Sequence, residues 1–183
     1  VLVKKSYVYG SDYIGGVCGR GSKTINNVGS LNCSIKGAGY CGDIVGYSAY
    51  ATISNSFTTS SSCVCGWNSS GTITNCYYLA EADDQNGGKA STQFASGEVA
   101  YLLNGGKSGD DVVWRQNLGE ANGDATPVLD SSHGIVYLGE PCQVYTNASH
   151  KEHTYVISED GKSHTCSDCD TTEQHANVAQ FSA

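Results

Sequence analysis

Residues 1–79 contain three copies of one short pattern, each ending in glycine. The copies are Gly15-Gly16-Val17-Cys18-Gly19, Gly42-Asp43-Ile44-Val45-Gly46 and Ser62-Cys63-Val64-Cys65-Gly66. A second pattern follows each copy after five or six residues: Thr24-Ile25-Asn26-Asn27, Thr52-Ile53-Ser54-Asn55 and Thr72-Ile73-Thr74-Asn75. The copies lie 27 and then 20 residues apart. Such self-similarity predicts stacked β-coils that fold as one unit, because no single coil can bury its own apolar face.

Side-chain alternation in the short strands predicts which residues of the repeat lie above one another. The expected columns are Ile25, Ile53 and Ile73 as a buried aliphatic ladder, Val17 with Ile44 and Val64, Cys18 with Val45 and Cys65, and Asn27, Asn55 and Asn75 as a corner ladder. The segment from Lys5 to Val8 aligns with the one from Asn55 to Thr58. We therefore expect the chain to begin inside an earlier coil, as an excerpt of a longer protein.

The nine cysteines are an odd number, and three interpretations of them stay open: partial disulfides, buried thiols of an anaerobe, and metal ligands. Cys18 and Cys65 are expected two coils apart, about 9–10 Å, which is too far for a disulfide. They are better explained as small buried apolar residues. Cys33 with Cys41 is the candidate disulfide.

The rhythm G-G-I-V-G followed by T-I-S-N-C/S-Y resembles the GLUG repeat of bacterial surface proteins, over residues 6–79. The resemblance implies a secreted or cell-surface location and a non-catalytic, adhesin-like accessory role. The chain departs from the usual paired glycines at Gly42-Asp43 and Ser62-Cys63. We expect a mainly β fold, with a short right-handed β-solenoid over 1–79.

Residues 80–139 are expected to cap the open end of this stack. A polar linker leads from Ala80 to Ala90, and a short helix follows with Ser96 as N-cap and Glu98 in its first turn. Three short strands are predicted around 112–114, 127–129 and 134–138. The residues expected to plug the stack are Phe94, Tyr101, Leu102, Leu103 and Trp114. The carboxylates, Arg115 and His133 match no catalytic spacing and are interpreted as solvated charges.

Residues 140–183 are rich in cysteine and histidine and form a predicted small appendage. The C-x-x-C pair Cys166 and Cys169 suits one tetrahedral zinc, with His153 and His175 as preferred partners and His164 and Cys142 in reserve. The segment is similar to short Cys/His-rich repeats near the C-termini of clostridial surface proteins. We expect a structural zinc; the alternative is a tail with a small-loop disulfide or free thiols. The spacing of His150 and His153 does not match a peptidase motif.

Charge and hydropathy limit the partners of this chain. The formal charge of −8 argues against nucleic acid, and no apolar run is long enough to insert into a membrane. The leading prediction is a non-catalytic spacer, adhesion or binding element for a surface glycan or protein. One alternative is a carbohydrate-binding or carbohydrate-active solenoid, with Tyr47 and Trp67 as a candidate ligand platform. The other is a scaffold element that associates end to end.

Overall fold

The structure is a computed structural model that describes residues 1–60, 63–81, 84, 86–109, 111–119 and 123–138, and the backbone of four short strands beyond them. The described part is mainly β, with two short helices. Neither of these helices is long and apolar enough to cross a membrane.

Twelve strands lie within residues 1–79: β1 (Leu2–Lys4), β2 (Tyr7–Gly10), β3 (Tyr13–Gly15), β4 (Cys18–Gly21), β5 (Ile25–Asn26), β6 (Gly29–Leu31), β7 (Ser34–Gly37), β8 (Tyr40–Gly42), β9 (Val45–Ser48), β10 (Thr52–Thr58), β11 (Cys65–Asn68) and β12 (Thr72–Leu79). The later elements are β13 (Gly88–Lys89), α1 (Ser91–Ala95), α2 (Glu98–Leu103), β14 (Tyr137–Leu138), β15 (Tyr155–Ile157), β16 (Ser163–Cys166), β17 (Thr172–Gln174) and β18 (Val178–Ala179). The strands β15, β16 and β17 pair antiparallel, and β14 pairs parallel with β18.

The repeats pair with one another in parallel and in register. Ile53 of β10 lies beside Ile25 of β5 on one side and Ile73 of β12 on the other. Val45 of β9 is flanked in the same way by Cys18 and Cys65. These registers confirm two of the four predicted columns, that of the isoleucines and that of Cys18, Val45 and Cys65, and each step along them is one repeat of the sequence.

The unequal spacing of the repeats has a structural cause. The first two copies each include an additional strand, β2 and β7, which pair with each other, and the shorter third copy has no counterpart among its described residues. The N-terminal alignment is wrong, however. Tyr7 pairs with Ser34, whereas the residues beside one another in the sheet that holds Phe57 are Leu2, Gly29 and Phe57.

The interior of the stack is apolar and most tightly enclosed at its middle copy. Ile44, Val45 and Ile53 have no solvent exposure, and Ile25 is partly buried against them. The expected burial of Ile73 is wrong: its side chain is 42% exposed. The described strand β13 pairs with β12 only at Tyr78 and Leu79, so no further strand of the described chain covers Ile73.

A second core joins the segment after residue 80 to the side of the stack. Phe57 packs with Phe94 and with the edge of Trp114, at ring-centroid distances of 5.7 and 5.2 Å. Four of the partly buried side chains around them come from strands of one sheet: Leu2, Leu31, Tyr77 and Leu79. The segment therefore braces the stack along its side, and at the open end its strand β13 pairs with β12 at Tyr78 and Leu79.

Of the five residues expected to plug the stack, Phe94, Leu103 and Trp114 are buried in this lateral core. Tyr101 and Leu102 are not part of it: Leu102 is only partly buried, and Tyr101 packs beside Val136 in a separate small cluster. They lie elsewhere because the segment meets a broad sheet instead of a narrow coil end.

The segment after residue 80, which we call the brace, contains two helices where the sequence predicts one. Helix α1 lies directly after the linker, with the backbone N–H of Ala90 bonded to Gln93 Oε1 at 2.7 Å. Helix α2 begins at Glu98, with Gly97 instead of Ser96 as its N-cap, at a left-handed φ of 88°. The strands predicted around 112–114 and 127–129 reduce to one bridge between Arg115 and Val128.

Candidate functional site

Four aromatic side chains come together on the outer surface of the stack. Tyr13 begins β3 and Tyr40 begins β8, and the two residues are register partners. Tyr47 of β9 is the partner of Trp67 in β11. Alternation places the aromatic ring outside because the next residue in β3, Ile14, is buried. We call Tyr13, Tyr40, Tyr47 and Trp67 the aromatic surface.

The rings of the aromatic surface are in mutual contact. The planes of Tyr13 and Tyr40 lie within 10° of each other, with centroids 6.0 Å apart. The Tyr40 ring also lies 5.9 Å from Tyr47 and 5.4 Å from Trp67, so it links the two register pairs. Tyr13, Tyr40 and Trp67 are nevertheless 45%, 43% and 51% exposed. Large aromatic side chains in contact with one another and open to solvent are typical of binding surfaces.

Arg20 completes the aromatic surface. It is the register partner of Tyr47 in β4, the position at which the sequence pattern breaks an otherwise aromatic row. Its guanidinium carbon lies 5.5 Å from the Tyr47 ring centroid and 6.0 Å from that of Tyr13. This is the distance range of cation–π contacts, which hold the guanidinium in place. In the part of the chain that the structure describes, no carboxylate forms an ion pair with Arg20.

Sequence reasoning found only half of this surface. It named Tyr47 and Trp67, which the structure places as register partners at the expected equivalent positions. It missed Tyr13 and Tyr40, although both stand two residues before a repeat glycine, at Gly15 and Gly42. That shared position is the signal that could have revealed them.

Formal charge is distributed unevenly between the repeats and the rest of the chain. Residues 1–79 hold five Lys or Arg and two Asp, a formal charge of +3. Residues 80–183 hold five Lys or Arg and sixteen Asp or Glu, a formal charge of −11. One of the two aspartates in the repeats, Asp43, is buried. The stack is thus a locally cationic region of an acidic chain.

A corner of asparagines lines a separate cleft of about 740 Å³ between the stack and the loop after α2. Asn27, Asn55 and Asn75 all have left-handed backbone, with φ between 49° and 54°. Asn75 Nδ2 donates to Asn55 Oδ1 at 3.1 Å, and Asn55 Nδ2 donates to Asn26 Oδ1 at 3.1 Å. Asn26 therefore takes the place expected for Asn27 in the side-chain ladder. The indole nitrogen of Trp114 closes this corner by donating to the Asn55 carbonyl at 2.9 Å.

Three residues after 120 form an acid–base group that the sequence did not reveal. His133 Nδ1 lies 2.6 Å from Asp124 Oδ2, and its Nε2 lies 4.0 Å from Asp130 Oδ2. The Ser132 backbone N–H and the Ser132 hydroxyl both donate to Asp130 Oδ1, and these two hydrogen bonds lower the pKa of Asp130. The only hydrogen bond the structure gives that hydroxyl points it at Asp130 instead of the imidazole. It is therefore not arranged as a histidine-activated nucleophile.

Two of the charges interpreted as solvated have specific roles in the fold. Glu98 is buried and accepts hydrogen bonds from Lys89 at 2.8 Å and from Gln93. It joins β13 to the two helices. Asp124 accepts from the backbone N–H of Asn117 at 2.7 Å in addition to contacting His133. For these residues the interpretation as solvated charges is wrong.

The cysteines of the repeats are thiols in this structure. Cys33 and Cys41 are both free, so the expected disulfide between them is not formed. The Cys33 thiol lies 3.5 Å from the Leu31 carbonyl and 3.6 Å from that of Val3. Cys18 and Cys65 are partly buried against the inner core, in agreement with their apolar interpretation.

Three cysteines, Cys63, Cys65 and Cys76, line a cleft of about 440 Å³ at the last copy of the repeat. Burial raises the pKa of Cys63 and Cys65, and it raises that of Cys76 to about 11. Burial therefore favours the neutral thiol form of these cysteines, which is a poorer nucleophile than the thiolate.

The predicted zinc site lies mostly outside the described residues. His153, Cys169 and His175, with the reserve Cys142, are all beyond them. Cys166 and His164 belong to β16, where they are opposite Tyr155 and Ile157. Among the described residues, no group of three or more Cys, His, Asp or Glu is placed to hold a metal ion. The structural zinc stays a prediction.

The described surface is that of a β-repeat protein with clustered external aromatic rings. Comparison of the chain with known proteins gives no match to a family model, to a curated protein or to a solved structure.

Proposed function

We propose that residues 1–79 form a short right-handed β-solenoid of the GLUG-repeat type. The support is the parallel pairing of equivalent strands in three successive copies, together with the continuous column of Ile25, Ile53 and Ile73. A solenoid offers a rigid outer face on which residues of adjacent copies are about 4.8 Å apart. Such a face can present a regular row of side chains to a large ligand.

We propose that the chain is a non-catalytic binding module of a secreted or cell-surface protein of bacterial type. The observation that carries this proposal is the aromatic surface, in which three of the four rings are between 43% and 51% exposed. Exposed rings in contact are uncommon on a surface with no partner, since burying them against one is favourable. The ligand is a surface glycan or protein.

The acid–base group around His133 favours this non-catalytic proposal. His133 lies between Asp124 and Asp130, and Arg115 Nη1 contacts the His133 carbonyl at 3.4 Å. These contacts tie the loop after residue 123 to itself and to Arg115. We assign the group a structural role in the brace.

A second function, end-to-end association of stacks, is favoured by one specific observation. Ile73 is 42% exposed on β12, a strand with a free edge over part of its length in the described chain. An exposed strand edge with an apolar side chain is a template for pairing. Sedimentation of the wild type over a range of concentrations tests this function. Assembly that Ile73→Lys abolishes would support it, and a monomer at all concentrations would reject it.

Adhesion of the labelled chain to coated surfaces tests the leading proposal. The coatings are mucin, collagen, fibronectin and purified bacterial cell wall. We expect retention on at least one coating, reduced at least ~10-fold by Tyr40→Ala combined with Trp67→Ala, because large aromatic residues dominate binding energy. Tyr50→Ala is the matched control, since Tyr50 is 74% exposed but makes no ring contact with the aromatic surface. Retention that the double variant leaves unchanged, or no retention on any coating, would reject the proposal.

A further inference from the structure

Arg20 is the residue on the aromatic surface that says most about a ligand. Its guanidinium is exposed and is held over the rings of Tyr13 and Tyr47, yet no carboxylate pairs with it among the described residues. A guanidinium is a planar fork of N–H donors that matches a carboxylate in a bidentate pair. Because the two rings limit its motion, less entropy is lost when it binds an anion.

The charge of the surrounding repeats also favours an anionic ligand. The formal charge of residues 1–79 is +3, although that of the whole chain is −8. The exposed carboxylate nearest to Arg20 in the sequence is that of Asp12, directly before Tyr13. A local positive potential attracts anions over about one Debye length, roughly 8 Å at physiological ionic strength. The aromatic surface therefore lies in the part of the chain that attracts negative charge.

The number of cations on the aromatic surface limits the type of anion. Arg20 is the single cation in contact with its rings among the described residues. A nucleic acid carries a phosphate at each nucleotide and is bound by a row of cations that displaces its counterions. One arginine beside several rings instead suits a ligand with isolated negative charges separated by uncharged, flat surface.

The rings favour a saccharide as the carrier of that charge. Tyr40 and Trp67 continue the surface beyond Arg20, with centroids 5.4 Å apart. The negative face of an aromatic ring attracts the weakly positive C–H groups on the flat side of a pyranose. An acidic peptide would instead need main-chain partners, and β9, the strand that carries Tyr47, offers none because it is paired with β4 on one side and β11 on the other.

We infer that the aromatic surface binds a carboxylate-bearing glycan, with the carboxylate on Arg20 and sugar rings on Tyr40 and Trp67. The inference rests on the proposed binding function and names its ligand class. The shared chemistry is a carboxylated pyranose, which a uronic acid polymer or a sialic acid polymer can supply.

Calorimetric titration of the full chain with matched polymers tests this inference. The probes are polygalacturonate, the same polymer with its carboxylates converted to methyl esters, polysialic acid, and single-stranded DNA. We expect at least ~10-fold tighter binding to one of the two acidic polymers than to the methyl ester, since a charge-assisted bidentate pair is lost on esterification. The two acidic polymers distinguish the two sources of carboxylate.

Substitutions then assign the carboxylate to Arg20. Arg20→Gln should remove most of the preference for the acidic polymer over its ester, and Arg20→Lys should retain part of it. Lys23→Gln is the matched control, because it removes the same charge from an exposed residue of the same copy. It should change affinity less than ~2-fold, as expected for a charge outside the contact. Unfolding curves of all variants check that the fold is retained.

Each remaining outcome overturns the inference and separates it from the proposed function. Equal binding of acid and ester would make the ligand a neutral glycan, and tighter binding of DNA would make it a nucleic acid. If no polymer binds while Tyr40 and Trp67 are still needed for retention on coated surfaces, the binding module stands and its ligand is a protein. If that retention is also absent, both proposals fail.

Discussion

The middle copy of the repeat and the outer copies have similar sequences but different environments. Ile53 and Ile73 are the same residue in the same column, yet Ile53 has no exposure and Ile73 is 42% exposed. Ile44 is likewise fully enclosed, whereas its equivalent in the first copy, Val17, is 40% exposed. In both pairs the enclosed residue is the one with a neighbouring copy on each side, although Val64 of the last copy is also buried.

The asparagine corner shows the same difference in its hydrogen bonds. The Asn55 side chain donates to Asn26 and accepts from Asn75, so both ends of its amide are used. Among the described residues, the Asn75 side chain only donates a hydrogen bond, to Asn55, and accepts none. Trp114 adds a bond to the Asn55 carbonyl from the lateral core. The middle copy is therefore held from three directions.

The largest expected effect comes from truncating the isoleucine column at two heights. Ile53→Ala leaves a cavity in a fully enclosed site and should lower the free energy of unfolding by about 2–5 kcal/mol. Ile73→Ala removes a side chain that is already 42% exposed. Its cost should be about 1 kcal/mol or less. Urea denaturation of both variants measures the difference.

Ile53→Val is the control for this pair, because it removes one methylene and should cost about 0.5–1.5 kcal/mol. Equal destabilisation by Ile53→Ala and Ile73→Ala would contradict the comparison. It would mean that Ile73 is covered in solution, either by another part of the chain or by a second copy of it.

The columns could be predicted from the sequence because the register of a stack is the repeat itself. Aligning the glycines of the three copies places Ile25, Ile53 and Ile73 in one column, and the pairing of their strands confirms it. Which of them is exposed could not be predicted, because that depends on which strands lie beyond the last copy.

The brace and half of the aromatic surface were harder to predict for a related reason. Phe57 packs against Phe94 and Trp114, which are far away in the sequence, and no periodicity connects them. Arg20 interrupts the aromatic row by its residue type. In the structure its guanidinium lies over two rings of the aromatic surface, a role that depends on side-chain geometry.

A smaller effect is expected from the asparagine corner. Glycine tolerates the left-handed backbone at both positions, where φ is 50° at Asn55 and 49° at Asn75. A comparison of Asn55→Gly with Asn75→Gly therefore isolates the contribution of the side-chain amide. Asn55→Gly loses two amide hydrogen bonds. It should lower the free energy of unfolding by about 1–2 kcal/mol more than a substitution that loses no hydrogen bond. Asn75→Gly loses one and should cost about half as much. Thermal unfolding measures both, and an equal cost would show that the ladder does not favour the middle copy.

The smallest effect concerns the buried carboxyl group of the middle copy. Asp43 follows Gly42 and occupies the position that Gly16 has in the first copy. Its Oδ2 accepts a hydrogen bond from Thr58 Oγ1 at 3.1 Å. Burial raises the pKa of Asp43 above its usual value of 3.8, although hydrogen bonds from Thr58 and Ser60 act in the opposite direction. The middle copy thus encloses a group that is more stable in the fold when protonated.

The sign of the resulting pH dependence follows from linkage. The pKa of Asp43 is higher in the folded state, so between the folded and unfolded pKa values the folded state binds more protons than the unfolded chain. The contribution of Asp43 to stability is therefore lost as the pH rises through the folded pKa. Asp43→Asn keeps an acceptor for Thr58 and carries no charge at any pH. We expect its free energy of unfolding relative to the wild type to increase from pH 3.5 to pH 7. Thr58→Val removes a bond that favours the carboxylate and should destabilise more at pH 7 than at pH 3.5. Urea denaturation at both pH values measures these differences, and a difference between Asp43→Asn and wild type that does not change with pH would show that the Asp43 carboxyl group is solvated in solution.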